Sequence, residues 1–413
     1  MGMSVFILTA DYFKNRRPAN FPPGPRMFPI VGNLFTVDHT KTHESMKELA
    51  GTYGDVYSLR MGPNFLVVLN GFKVVKEALV KQADSFADRP LLPLQLDVFS
   101  TLGKPFNPHL IINNAVSNII CSMVFGHRFE YDDENFKKLL KMFEKAFWIL
   151  TSIWAQVLHQ NYVKKFIREE LKDHKQNWDP SDLRDYIDCY LNEIQTTTGQ
   201  VDSTFDEENM VVCILELFLA GTETTSTTLR WGFLYMAKYP EIQEKVQAEI
   251  DTVIGQFRQP SMEDRVNMPY TDAVIHEIQR IGNIVPLNLP HSTTREVQLG
   301  GYTIPKGVTV IPSLTAVLLD KNEWETPHTF NPGHFLNEEG KFVKPAAFIP
   351  FSAGKRQCPG ESLAKMELFL FFTSFMQRYT FSMPAGVKPV LNYRFGFTLT
   401  PAHYEICATL RQK

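Results

Sequence analysis

The sequence predicts a mainly α-helical protein with a small β-region, and three observations carry that prediction. The stretch from Thr204 to Tyr239 contains no proline, long enough for an eight- to ten-turn helix. Glu361 to Arg378 places Leu363, Met366, Leu368, Phe369, Phe372 and Phe375 at helical spacing. Strand-like runs are short and bounded by Gly, Pro or Asn, as around Gly62-Pro63-Asn64.

The 413 residues are 44% hydrophobic and 21% charged, ordinary for a globular chain with a sizeable core. A net charge of −3 gives no support for nucleic-acid binding. Cys121, Cys189, Cys213, Cys358 and Cys407 are odd in number and lack zinc spacing, which suits a reducing compartment. Neither a Gly-x-Gly-x-x-Gly nor a P-loop occurs, so this chain is not expected to bind NADPH or ATP itself. Thirty-two phenylalanines point either to thick helix packing or to an apolar cavity.

Met3 to Ala10 is apolar but too short to span a bilayer, and Lys14, Arg16 and Arg17 follow it. Phe21 to Arg26 reads as a stiff proline spacer. Tyr57 to Gly62 and Phe65 to Asn70 form a hairpin, and Phe72 to Lys81 a short amphipathic helix. Leu110 to Phe125 and Asn135 to Leu158 are helical by period, the second with Lys137, Lys138, Lys141 and Lys145 on its polar side. Gln160 to His174 is a further helix.

Thr204 and Glu207 have capping-box spacing at the start of the long helix. Its middle, Leu219-Ala220-Gly221-Thr222-Glu223-Thr224-Thr225-Ser226, is poor helix material. Hydroxyls there either bond back to i−4 carbonyls or serve chemistry. Glu241 to Ile254 is a surface helix, and the helix opened by Met268-Pro269 carries Glu277 and Arg280 at i, i+3. That pair is either an exposed ion pair or a buried brace. Gly301 to Gly307 turns between short strands, with Val308 to Ile311 as the second. Asn392 to Thr400 and Tyr404 to Leu410 are expected to pair around Pro401, with a tip near Ala402 and His403.

The chain is organised around Phe348 to Ala364. Turn formers crowd Pro350 to Gly360, and a helix follows, so Cys358 sits on a loop delivered to a helix N-terminus. Backbone N–H groups there, with Lys355 and Arg356 nearby, favour a thiolate. Gly354 and Gly360 permit backbone geometry or close approach that a Cβ forbids. A lone Cys is more often a small buried hydrophobe. Here Phe-x-x-Gly-x-Arg-x-Cys-x-Gly-Glu fixes six positions, and a thiolate is a known axial ligand for haem iron.

This loop, the Ala220-Gly221-x-Glu223-Thr224-Thr225 stretch, Glu277-x-x-Arg280 and the Phe330-to-Phe335 loop occur in the order found in the cytochrome P-450 superfamily. The chain resembles that family from Pro22 onward. Lys104 to His109 and Asn113 to Val116 look closest to microsomal family-two enzymes, of the subfamily J-like arachidonate epoxygenase kind.

The resemblance implies the cytochrome P-450 fold, with residues 1–20 as a residual anchor stub and 21–413 as one haem-thiolate monooxygenase domain. It implies protohaem (haem b) bound through Cys358 as iron ligand, with Phe351, Gly360, Arg356 and His291 around it, the last two at the propionates. Ala220 and Gly221 are given the room for dioxygen, and Thr224 and Glu223 the proton relay. Glu277 and Arg280 become a buried brace whose Arg takes a third partner from the loop holding His334. Val285, Leu289 and Ala220 line the substrate cavity. Lys344, Lys355 and Lys365 flank the Cys loop as a docking face for an acidic partner. The implied partners are NADPH–cytochrome P-450 reductase, cytochrome b5, a membrane surface and a lipophilic substrate, at the cytosolic face of the endoplasmic reticulum.

The sequence departs from the family pattern in two places. No Trp is followed four residues later by Arg or Lys, and the segment that carries this signature is missing at Ser100-Thr101. The join near Val157 to Tyr162 looks abridged too. Two rivals therefore stand beside the monooxygenase: an abridged product that binds haem weakly, and a haem protein acting on peroxides without a reductase.

Overall fold

The computed structural model describes residues 21–29, 31–33, 35–37, 42–61, 64–70, 74, 103–134, 136–140, 153–200, 202–299 and 301–411. All but residue 74 of the predicted helix Phe72 to Lys81, the Ser100-Thr101 junction and most of Asn135 to Leu158 lie outside these residues. The chain forms two compact units, residues 1–90 and 91–413.

In the first unit, α1 (Thr42–Tyr53) precedes a hairpin of β1 (Val56–Met61) and β2 (Asn64–Leu69), paired antiparallel with Val56 opposite Leu69. Val37, Ala50, Tyr57 and Leu59 form its buried centre. The Tyr57 hydroxyl is not left unsatisfied there: it donates to the Met46 carbonyl at 2.8 Å. The predicted hairpin is found at the predicted turn.

The second unit opens with α2 (His109–Phe125), α3 (Ile153–Gln176) and α4 (Tyr186–Thr196). The long α5 (Glu207–Lys238), α6 (Pro240–Val253) and α7 (Pro269–Gly282) follow. Next come β3 (His291–Ser292), β4 (Val297–Leu299), β5 (Tyr302–Ile304), β6 (Thr309–Val310) and α8 (Leu314–Leu318). The chain closes with α9 (Glu361–Arg378), β7 (Tyr379–Ser382), β8 (Tyr393–Phe395), β9 (Leu399–Pro401) and β10 (Cys407–Leu410). Every sheet among the described residues is a two-stranded antiparallel pair, so helices make the body, as predicted.

The spine is α5, packed by α2 near its middle and by α7 and α9 toward its C-terminus. One apolar cluster joins Leu229, Phe233 and Met236 of α5 to Ile275 and Ile278 of α7 and to Phe369 and Phe372 of α9. A second joins α2 and the first half of α5 through Phe125 and Phe218, whose ring centroids are 5.3 Å apart. Phe233 stacks on Phe381 at 4.8 Å, joining α5 to β7. Gln243 of α6 seals the join to β7. Its side chain both donates to the Phe381 carbonyl (3.0 Å) and accepts from the Phe381 N–H (2.7 Å), as a neighbouring strand would.

Three local expectations are corrected. The two helices expected to end at Leu158 and begin at Gln160 are one continuous α3, because no Pro or Gly interrupts its backbone bonding there. The N-cap of α5 is Asp206, whose carboxylate accepts from the Asn209 N–H, rather than Thr204. The C-terminal strands do not pair around Pro401. β8 pairs with β9 across a tip at residues 396–398, and β10 pairs with β7.

Candidate haem-thiolate site

The Cys358 loop is anchored at its start by Phe348, which is buried edge-on against Phe335 at 4.9 Å. Ser352 (φ 65°) and Gly354 (φ 80°) both take left-handed backbone, reversing the chain into a 3-10 turn at Gly354–Arg356. Gly354 is therefore required on conformational grounds. The Cys358 N–H donates back to the Phe351 carbonyl at 3.0 Å, closing the loop and leaving the residue exposed at the start of α9.

At Gly360 the backbone conformation itself does not require glycine. Its φ is −87°, and an added Cβ would meet only the Cys358 Sγ at 3.8 Å, ordinary contact. The Gly360 amide and that of Glu361 act to lower the Cys358 thiol pKa. The electrostatics are also corrected. Protein packed around the sulfur is the largest influence and raises the thiol pKa, the two N–H groups lower it, and the Glu361 carboxylate raises it. Lys355 and Arg356 do not enter. Glu361 is itself engaged by Lys365 at 2.5 Å and by the Gln357 amide.

Arg356 is exposed and has no ion pair or side-chain hydrogen bond among the described residues. His291, half-buried, lies in β3 opposite Val310. Phe351 is half-buried, with the Lys365 ammonium 5.9 Å from its ring centroid. Val285 is half-buried and Leu289 is 58% exposed, so this segment presents apolar surface.

On α5, Ala220 is exposed and Thr224 half-buried. The Thr224 hydroxyl donates to the Ala220 carbonyl at 2.5 Å, and Thr228 repeats the pattern one turn on. The back-bonded alternative is the one adopted. Glu223 is buried and its Oε1 accepts from the Thr227 hydroxyl at 3.0 Å. Gly221 also lies against α2: a Cβ there would lie 2.5 Å from Ile120 Cδ1. Its missing side chain admits Ile120, which is a helix-crossing role.

The Glu277–Arg280 pair is a buried brace, with both side chains fully enclosed. All five guanidinium N–H groups are satisfied. Two go to the carboxylate of Glu277 (2.7 and 2.7 Å), and three to the carbonyls of Leu318 (2.9 Å), Pro327 (2.8 Å) and Thr329 (3.1 Å). His334 was expected to serve Arg280; it serves Glu277 instead, Nδ1 to Oε2 at 3.3 Å. Its Nε2 accepts from the Thr326 amide at 3.3 Å, which assigns the proton to Nδ1. The Asn331 N–H completes the Glu277 shell at 2.8 Å.

Sequence reading missed Glu367, buried in α9, where it looked like one acid in an apolar stripe. Its Oε1 has no protein partner, burial pushes its pKa up to about 7, and Thr225 of α5 acts weakly in the opposite direction.

A haem needs an accessible soft donor on its proximal side and cations for its carboxylates. An exposed cysteine two residues from the exposed Arg356, with His291 half-buried in β3, fits that donor set.

The comparisons agree. The sequence profile of the family described as Cytochrome P-450 matches residues 22–101 and 94–408, two blocks that overlap over residues 94–101, a stretch that contains the Ser100-Thr101 junction. The chain is 44% identical to Cytochrome P-450 2J1 of Oryctolagus cuniculus over 480 positions, covering 100% of the chain and 95% of the relative. It is 43% identical to Cytochrome P-450 2J2 of Homo sapiens (99% and 95%) and 40% identical to Cytochrome P-450 2D20 of Mesocricetus auratus (99% and 97%). The 480 aligned positions exceed the chain's 413 residues by 67, so the rabbit relative carries at least that many residues with no counterpart here. From an exposed cysteine loop, a fully satisfied Glu–Arg brace and end-to-end similarity of this kind, the chain belongs to the cytochrome P-450 family of haem-dependent monooxygenases.

Proposed function

We propose that this chain oxidises a lipophilic substrate, inserting one atom of dioxygen by hydroxylation or epoxidation, with unsaturated fatty acids such as arachidonate and xenobiotics as the substrate class. The observation that carries the proposal is Cys358, exposed at the start of α9 on a loop closed by its own N–H onto the Phe351 carbonyl. Cys358 is the residue that holds the iron of protohaem, and the bound group supplies the oxygen-activating chemistry. Arg356 and His291 take its propionates, and Phe351 flanks the sulfur.

The remaining residues position, exclude and donate. Glu277, Arg280 and His334 fix the floor beneath the Cys358 loop without touching the reacting atoms. Val285, Leu289 and Ala220 offer apolar surface to the substrate. Thr224 and Glu223 form the proton relay, for which the Thr224 hydroxyl gives up its bond to the Ala220 carbonyl when substrate and oxygen are present. Electrons come from NADPH through cytochrome P-450 reductase, with cytochrome b5 as an accessory donor. Lys344 and Lys355 serve as docking cations, since Lys365 is engaged by Glu361. Work at the cytosolic face of the endoplasmic reticulum membrane suits that partner.

The test is turnover of arachidonate by the purified chain with reductase and NADPH. Oxygenated products that require NADPH support the reading. A second reading is favoured by the back-bonded Thr224: a haem protein that acts on peroxides. Products formed with peroxide but not with NADPH and reductase would select it. A chain that retains no haem would instead be an abridged, inactive family member.

A further inference from the structure

Asn288 stands between Leu287 and Leu289 in the segment that follows α7, and it adopts left-handed backbone with φ 56°. Ser352, early in the Cys358 loop, is left-handed too, with φ 65°. Left-handed backbone is uncommon outside glycine and is held only where surrounding structure enforces it. These two residues, 64 positions apart, are joined directly: Asn288 Nδ2 donates to Ser352 Oγ at 2.9 Å.

Both ends of the Asn288 amide are committed. Its Oδ1 accepts from the Leu289 N–H at 2.8 Å, which fixes which end faces Ser352. Its own N–H donates to the Val285 carbonyl at 3.2 Å. On the other side, the Ser352 N–H donates to the Ile349 carbonyl, and the adjacent Phe351 carbonyl holds the Cys358 amide. Among the described residues, this is the one side-chain hydrogen bond from residues 349–358 to anything beyond the loop and its own helix α9.

We propose that Asn288 is a positioning residue for Cys358: its side-chain amide pins Ser352, and so fixes the sulfur-bearing loop against the segment 285–291. The loop is otherwise held at its ends, by Phe348 in the core and by α9. The clip sets the middle, one residue from the carbonyl that orients the Cys358 amide. Its consequence for haem rests on the ligation proposed above; the clip itself does not.

The test uses the purified full chain and four variants. Asn288→Gly and Ser352→Gly remove the side chains while keeping left-handed backbone accessible, so neither introduces backbone strain. The double glycine variant closes a mutant cycle, and Asn288→Asp restores a bond with the donor reversed, from the Ser352 hydroxyl. Two readouts are taken: amide hydrogen exchange at residues 352–358 without haem, and conversion of the reduced carbon-monoxide complex from its thiolate band to its thiol band.

Expected are exchange about fivefold faster in each single glycine variant, no further gain in the double, and recovery in Asn288→Asp. Faster loss of the thiolate band should follow the same order. Exchange equal to the parent in Asn288→Gly, or strictly additive effects in the double, overturns the proposal. A parent chain that shows no thiolate band defeats the ligation reading, while the exchange comparison still decides whether the clip exists.

Discussion

The His334 imidazole hydrogen-bonds Glu277 rather than Arg280, because every N–H of the Arg280 guanidinium is already taken by Glu277 and three backbone carbonyls. The histidine closes the carboxylate side of the brace, and the backbone of residues 318–329 closes the cation side.

Arg280 and His334 should therefore differ sharply when removed. Arg280→Ala strands a fully buried carboxylate and is expected to cost about 3–5 kcal/mol, enough to prevent stable folding. Arg280→Lys cannot reproduce five fixed donors and should recover little of it. His334→Ala removes the bond to Glu277 and those to Thr326 and should cost about 1–3 kcal/mol. Urea unfolding midpoints measure all three; equal losses for Arg280→Lys and His334→Ala would contradict the asymmetry.

Gly221 and Ile120 should be coupled. Gly221→Ala improves helix propensity by about 1 kcal/mol but drives a methyl to within 2.5 Å of Ile120 Cδ1, an overpacking cost of about 1–3 kcal/mol. The substitution should destabilise the parent and stabilise an Ile120→Ala background. A double-mutant cycle in thermal unfolding reads the change of sign.

Glu367 should give the stability a pH dependence. Unfolded, its carboxyl titrates near the ordinary Glu value of 4.5; buried in α9, it is pushed up to about 7. Between those values the native state keeps a proton that the unfolded chain has released. Stability therefore falls as pH rises from about 4.5 to about 7 and levels off above, by on the order of 3 kcal/mol. Glu367→Gln should match the parent at pH 4 and exceed it at pH 8. Identical urea profiles at both pH values would show that the group is not buried as described.

Much of this was legible in the sequence because the signals are local. The α9 boundaries follow from its apolar period, and the Gly354 turn follows from chemistry at that residue. The β1–β2 hairpin was equally plain, since strand runs flank a Gly-Pro-Asn turn. What stayed hidden is set by distant packing. The partner of β10 is β7, chosen by where α9 ends rather than by the Pro401 turn. The role of Gly221 depends on α2, about a hundred residues away, and Glu367 matters because it meets Thr225 of another helix. The Thr224 hydroxyl could be read either way until its acceptor, the Ala220 carbonyl, was in view.

The central claim is that Cys358 ligates haem iron as a thiolate in this chain, despite the residues its relatives have and it lacks. The reduced carbon-monoxide spectrum tests it most directly, taken beside Cys358→Ala. A thiolate-type Soret band in the parent that disappears in the variant is the predicted result. A histidine-type band, or a chain that retains no haem, would contradict the account and leave a family member by sequence without the family's site.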